Sequence, residues 1–130
     1  MKLHPAVTVN GLDQMLAALR PGLPVTLLSA PGAAGFAGCL WWRAMVGQAL
    51  AAFPAAVALD VLDCAEAPGH AMAALRAGQR LVVLAGGCPA FPAVSAAAAR
   101  LGASVLARRP DSLDLAAAGA ERWLETWLNG

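Results

Sequence analysis

Residues 20–43 read RPGLPVTLLSAPGAAGFAGCLWWR, and no charged residue lies between the two arginines that end this stretch. Within it, 25–28 (VTLL) is typical of a buried strand, 29–35 (SAPGAAG) of a tight turn, and the residues from Phe36 onward of a helix. Open α/β sheets hold anionic ligands with this order of strand, glycine-rich turn and helix start. The stretch therefore predicts the first βα turn of such a sheet, beside which any ligand should bind.

Short, nearly continuous apolar runs predict further strands of a parallel sheet. With the first, the predicted strands are 25–29, 57–62, 81–85 and 104–107, and 6–9 is a candidate edge strand. Helical stretches alternate with them at 36–52, 69–78, 92–101 and 112–128. We predict a single α/β domain over residues 1–130, a three-layer α/β/α sandwich with a short, mostly parallel sheet of four or five strands. Its arrangement would be Rossmann-like or flavodoxin-like.

Asp60 bears on the order of these strands. It lies inside the run 57–62, and a carboxylate in an interior strand is costly to remove from water. We therefore expect this strand near an edge, as in the flavodoxin-like order 2-1-3-4. The alternative is that Asp60 is a functional carboxylate.

Composition limits the classes of partner. Hydrophobic residues make up 59% of the chain and charged residues 13%, against about 25% charged in ordinary domains. So little polar surface predicts that a homo-oligomer, or else a partner subunit, covers the excess apolar face. The net charge is only +1 and Lys2 is the single lysine, so we expect no nucleic-acid partner.

Hydropathy raises the question of a membrane segment. Mean hydropathy is +0.62, but three prolines and four glycines interrupt the run 21–42, and we expect no membrane span. Residues 1–11 contain no apolar signal core, and the three cysteines do not form an even disulfide set. The cytoplasm is the expected location.

The carboxyl ends of parallel strands open on one edge of a sheet, so the loops after the strands should gather the site. The candidate ligand-binding residues are Ser29, Gly32, Gly35, Gly38, Asp63 and Arg108. Residues 33–38 (AAGFAG) match G-x-G-x-x-G with alanine at the first position, and Asp60 or Asp63 would be its acidic partner. The pattern favours a small anionic metabolite or a nucleotide and names no cofactor. The alternative is that these small residues only let helix and strand pack closely.

Two cysteines directly follow predicted strands. Cys64 and Cys88, with Asp63 nearby, are candidate catalytic residues of a small enzyme with a thiol nucleophile. The alternative is that both are small buried side chains. No cysteine or histidine spacing typical of zinc ligands occurs, so we expect no metal site.

Four tryptophans supply most of the aromatic content. Trp123 and Trp127 are spaced i, i+4 in the predicted last helix, and Trp41 and Trp42 are adjacent. They could dock a helix onto the sheet, or they could form the interface of a non-catalytic structural subunit.

Overall fold

The computed structural model describes residues 2–130. The strands are β1 (Ala6–Thr8), β2 (Val25–Leu28), β3 (Ala58–Asp63), β4 (Leu81–Val83), β5 (Ser104–Leu106) and β6 (Ser112–Asp114). The α-helices are α1 (Leu12–Leu19), α2 (Ala33–Phe36), α3 (Cys39–Ala52), α4 (Pro68–Arg76), α5 (Phe91–Arg100) and α6 (Leu124–Leu128), and a 3₁₀ helix spans Ala120–Trp123.

The strands form one parallel sheet of six, in the order β5-β4-β3-β2-β1-β6, with helices on both sides. This confirms the predicted three-layer α/β fold, although the sheet has six strands and not the four or five predicted. The apolar run of β2 is buried at every position, as expected of a strand covered on both faces.

The strand order differs from the flavodoxin-like order that Asp60 favoured. β3 has β2 on one side and β4 on the other, so the strand that carries Asp60 is interior. Asp60 is only half-buried, whereas Val61, Leu62 and Asp63 are buried. Because Asp60 is not fully buried and also has an interaction partner, the desolvation cost that argued for an edge is reduced.

β1 is not at an edge either, because β6 pairs with it in parallel from Ala6–Ser112 to Thr8–Asp114. The sequence analysis placed residues 112–114 in a helix over 112–128. The helical part is restricted to 120–128, after Gly119 adopts a φ of +73°. The alternating SLD segment pairs as a strand instead, and Thr8 and Ser112 hydrogen-bond through their hydroxyls at 2.7 Å.

The helix predicted over 36–52 is divided in two. It starts earlier, at Ala33, and the four-residue α2 ends before Gly38, whose φ of +89° interrupts the helix. α3 then begins at Cys39. The left-handed conformation is one that glycine adopts without steric cost.

The chain forms two compact units. The first unit contains the described residues up to Ala30 together with 44–60 and 110–130, and the second contains 31–43 and 61–109. The core of the first includes Val7, Met15, Val25, Leu27 and Val46. That of the second is formed around Trp42, Val61, Leu62, Leu75, Val82 and Leu84.

Charge is distributed unequally between the two units. The second unit has six arginines and two carboxylates, while the first has three basic and six acidic residues. The net charge of +1 therefore conceals a basic unit and an acidic one. Among residues 2–130, no helix is both long and apolar enough to cross a membrane.

Candidate functional site

The carboxyl ends of β3, β4 and β5 surround an open depression of about 440 Å³ within the second unit. Its volume lies toward the lower end of the range for small-molecule sites. Most of its walls are small apolar residues, and its charged groups are one aspartate and two arginines. The lining residues are Pro31, Gly32, Asp63, Ala65, Val83, Ala85, Ala107, Arg108 and Arg109.

Asp63, the last residue of β3, is the acidic group of the depression, and only 3% of its surface is exposed. Its Oδ1 accepts a hydrogen bond from the backbone N–H of Ala65 at 2.7 Å. Its Oδ2 accepts one from Nη1 of Arg109 at 2.8 Å and forms an ion pair with that guanidinium. A buried carboxylate needs such partners, so Asp63 holds the turn and Arg109 together.

Arg108 differs from its neighbour. It is exposed at the rim of the depression, and its side chain makes no hydrogen bond or ion pair with any residue in 2–130. The sequence analysis placed Arg108 and Asp63 in one site, and both do line the depression. However, Asp63 forms its ion pair with Arg109. The sequence could not show which of the two neighbouring arginines pairs with Asp63.

The turn after β3 carries an unusual backbone conformation. Ala65 has a φ of +50°, the only positive φ of a non-glycine residue among those described. Its N–H is bonded to Asp63, and its carbonyl oxygen accepts from the N–H of Ala85 at 2.8 Å. These two bonds hold a conformation that is costly for an L-residue with a side chain.

No family model matches the chain. No curated protein matches it in sequence either.

Small residues keep the walls of the depression close together. A Cβ added to Gly86 would lie 3.0 Å from Cβ of Ala107, and the N–H of Gly86 donates to the Ala107 carbonyl at 2.9 Å. A Cβ added to Gly32 would lie 3.7 Å from that of Ala65. The loops after β4 and β5 are thus in direct contact, and a side chain at position 86 would force them apart.

The three candidate glycines of the first turn have different surroundings. Gly32 lines the depression and has a φ of +67°. A Cβ at Gly35 would meet the His70 ring at 3.3 Å, and nothing lies within 4 Å of a Cβ at Gly38. Because Gly35 lies in α2 against His70 of α4, its small size serves packing between two helices, not the packing of helix against strand considered from the sequence. Only Gly32 of the three borders the depression.

Ser29 lies in the first unit, not in the unit that contains the depression. It is fully buried, and its hydroxyl donates to the Ala30 carbonyl oxygen at 3.1 Å. It does not line the depression.

The cysteines lie outside the lining of the depression. Cys64 is 1% exposed, and burial, with a smaller contribution from Asp63, raises the pKa of its thiol from 9.0 to about 12. Such a thiol stays protonated at neutral pH, which disfavours it as a nucleophile. Cys88 is half-buried and lies three residues before α5 begins, with its Sγ 4.0 Å from the Glu66 carbonyl oxygen. Within 2–130, no three His, Cys, Asp or Glu side chains are grouped as metal ligands would be.

The arrangement can bind a negatively charged group. One guanidinium is available at the rim, and a second is held in place by a buried carboxylate. Since both oxygens of Asp63 already accept hydrogen bonds, its evident role is to position Arg109 and the turn.

Proposed function

We propose that the protein binds a small anionic ligand, a metabolite or a nucleotide, in the depression at the carboxyl ends of β3, β4 and β5. The observation that carries this proposal is Arg108, a guanidinium without a partner among residues 2–130 at the rim of a largely apolar depression. Hydrogen bonds between a guanidinium and a carboxylate or phosphate are among the strongest that proteins form, because both groups are charged.

The surrounding charge supports the same class of ligand. The depression lies in the unit that has six arginines and two carboxylates, so its local field attracts anions. The carboxyl edge of a parallel sheet is also where ligands of open α/β proteins bind.

The test compares two exposed arginines of the second unit. Arg108→Gln removes the charge at the rim, and Arg100→Gln removes one at the end of α5, away from the lining residues. Binding of hexanoate, inorganic phosphate and adenosine monophosphate is measured by titration calorimetry at physiological ionic strength. We expect at least one probe to bind, Arg108→Gln to weaken it about tenfold or more, and Arg100→Gln to leave it within about twofold. Failure of all three probes at millimolar concentration, or equal effects of the two substitutions, would overturn the proposal.

A second candidate function is that of a self-associating structural subunit. Two large apolar side chains of the second unit are strongly exposed: Phe36 is 73% and Leu40 72% accessible. Trp123, in the first unit, is 56% exposed, whereas Trp127 donates its Nε1–H to the Ala6 carbonyl oxygen at 2.7 Å. Of the two tryptophans at the carboxyl end, Trp127 is therefore docked onto the protein, and Trp123 is exposed.

Light scattering tests the second candidate. A homo-oligomer formed through residues 36–40 would dissociate with Leu40→Ser and persist with Leu101→Ser, a control leucine that is 52% exposed. A monomeric wild type would contradict it. We further propose that the protein works in the cytoplasm, because Cys39, Cys64 and Cys88 are all free thiols.

A further inference from the structure

The net charge inside the depression is small, because one of its two arginines is paired with its aspartate. Asp63 neutralises Arg109 across 2.8 Å, which leaves Arg108 as the single uncompensated charge of the lining. A group with several negative charges would bring more charge than this site can balance. One guanidinium instead matches one carboxylate, with which it forms a bidentate pair.

Two backbone N–H groups of the lining already have acceptors within the chain. The N–H of Ala65 donates to Asp63, and the N–H of Ala85 donates to the Ala65 carbonyl oxygen. α2, which begins beside the depression, is only four residues long, too short for the strong dipole of a phosphate-binding helix. The features that cradle phosphates at a glycine-rich turn are therefore weak here.

A ribose would also lack its usual acceptor. In dinucleotide-binding sheets a carboxylate near the end of the second strand accepts from the ribose hydroxyls. Asp63 occupies the corresponding place but is buried, and both of its oxygens are engaged. A sugar in this depression would have to disrupt the turn after β3 in order to reach it.

The remaining walls favour an apolar ligand body. No side chain among these walls carries a hydroxyl, amide or thiol group: Pro31, Ala65, Val83, Ala85 and Ala107. A hydroxyl of the ligand placed against them would lose its water without gaining a partner, at a cost of about 1–3 kcal/mol. A methylene group in the same place would gain about 0.8 kcal/mol.

We infer that the ligand of this depression is a monoanion with a compact apolar body, of the class of short- and medium-chain carboxylic acids. This inference rests on the proposed function and narrows it, because it selects one class among small anions. Arg108 would bind the carboxylate, and the alanine and valine walls would cover the hydrocarbon.

The experiment measures dissociation constants for butyrate, hexanoate, hexanol, inorganic phosphate and adenosine monophosphate. We expect hexanoate to bind about tenfold more tightly than butyrate, since two more methylenes are buried. Hexanol, which lacks the charge, should bind about tenfold more weakly than hexanoate. Phosphate and adenosine monophosphate should also be weaker by about tenfold or more.

A variant with a larger side chain in the depression tests whether the hydrocarbon part of the ligand binds there. Ala85→Leu should abolish hexanoate binding, while Ala96→Leu, an exposed position on α5, should leave it unchanged. Melting temperatures of both variants establish that they fold. Should Ala85→Leu not fold, the chain-length comparison in the wild type still decides the inference.

The failures of the two proposals are distinguishable. Tighter binding of phosphate or adenosine monophosphate than of hexanoate would overturn the inference and leave an anion site in place. Equal binding of butyrate and hexanoate would also overturn it. Equal binding of hexanol and hexanoate, or binding of no probe, would remove the anion site itself.

Discussion

The turns that follow β2 and β3 are built from different residues. The first contains Gly32, Gly35 and Gly38, and Gly35 lies against the His70 ring. The second has no glycine at its positive φ, where Ala65 is held by the buried carboxylate of Asp63. In the first turn glycine serves close packing at Gly35 and a positive φ at Gly32 and Gly38. The turn after β3 instead depends on Asp63, which also pairs with Arg109 in the depression.

The largest expected contrast concerns the reactivity of Cys64 in the turn after β3. With a pKa of about 12 instead of 9.0, its thiolate fraction at neutral pH is about a thousandfold lower than that of an unfolded thiol. Titration of the native protein with a chromogenic disulfide should therefore modify two of the three cysteines quickly. A Cys64→Ala variant should give the same fast count of two, and fast modification of all three wild-type thiols would contradict the burial of Cys64.

The same thiol predicts a loss of stability at high pH. The folded protein keeps Cys64 protonated to a higher pH than the unfolded chain does, so its contribution is complete below pH 9 and declines toward pH 12. Urea unfolding of the wild type and of Cys64→Ala over this range measures it. The difference in free energy of unfolding between the two should shrink as pH rises, and a constant difference would count against the raised pKa.

Removal of the carboxylate should have the next largest effect. Asp63→Ala leaves the Ala65 N–H and the 26%-exposed Arg109 side chain without their acceptor, and should lower the free energy of unfolding by about 3 kcal/mol. Asp63→Asn keeps an acceptor for the N–H and should cost about half as much. Urea denaturation measures both, and equal losses would show that the hydrogen bond to Ala65 contributes little.

The smallest expected effect comes from Ala65. Ala65→Gly removes the steric cost of the positive φ in the folded protein, and it also increases the entropy of the unfolded chain. Because the first effect is the larger, the free energy of unfolding should rise by about 0.5 kcal/mol. Ala73→Gly is the control, because Ala73 is an exposed residue inside α4 with no positive φ, and the substitution should lower the free energy of unfolding by about 1 kcal/mol. A loss of stability in Ala65→Gly would show that the turn after β3 is not strained.

Much of the fold could be predicted because the strands are buried apolar runs. Each of the strands β2 to β5 lies wholly or largely within one predicted run: 25–29, 57–62, 81–85 and 104–107 respectively. β6 was missed, because a three-residue strand with one apolar side chain has no run to recognise. The strand order was wrong because the degree of exposure of Asp60 depends on packing that no local pattern records.

The location of the site in the sheet could be predicted from the sequence, but the contacts between its side chains could not. The rule that ligands bind at the carboxyl ends of parallel strands located Gly32, Asp63 and Arg108 at one depression. It could not show that Asp63 pairs with Arg109, or that Gly35 lies against His70, because both depend on long-range packing. Ala65 carries no sequence signal, since alanine rarely adopts a positive φ.

Arg108 is the group proposed to bind the anion, beside the ion pair of Asp63 and Arg109. The decisive measurement is the dissociation constant of hexanoate for the wild type, Arg108→Gln and Arg100→Gln at physiological ionic strength. The account predicts binding that weakens about tenfold or more in Arg108→Gln and changes by less than about twofold in Arg100→Gln. Equal affinity of all three proteins for hexanoate would contradict it.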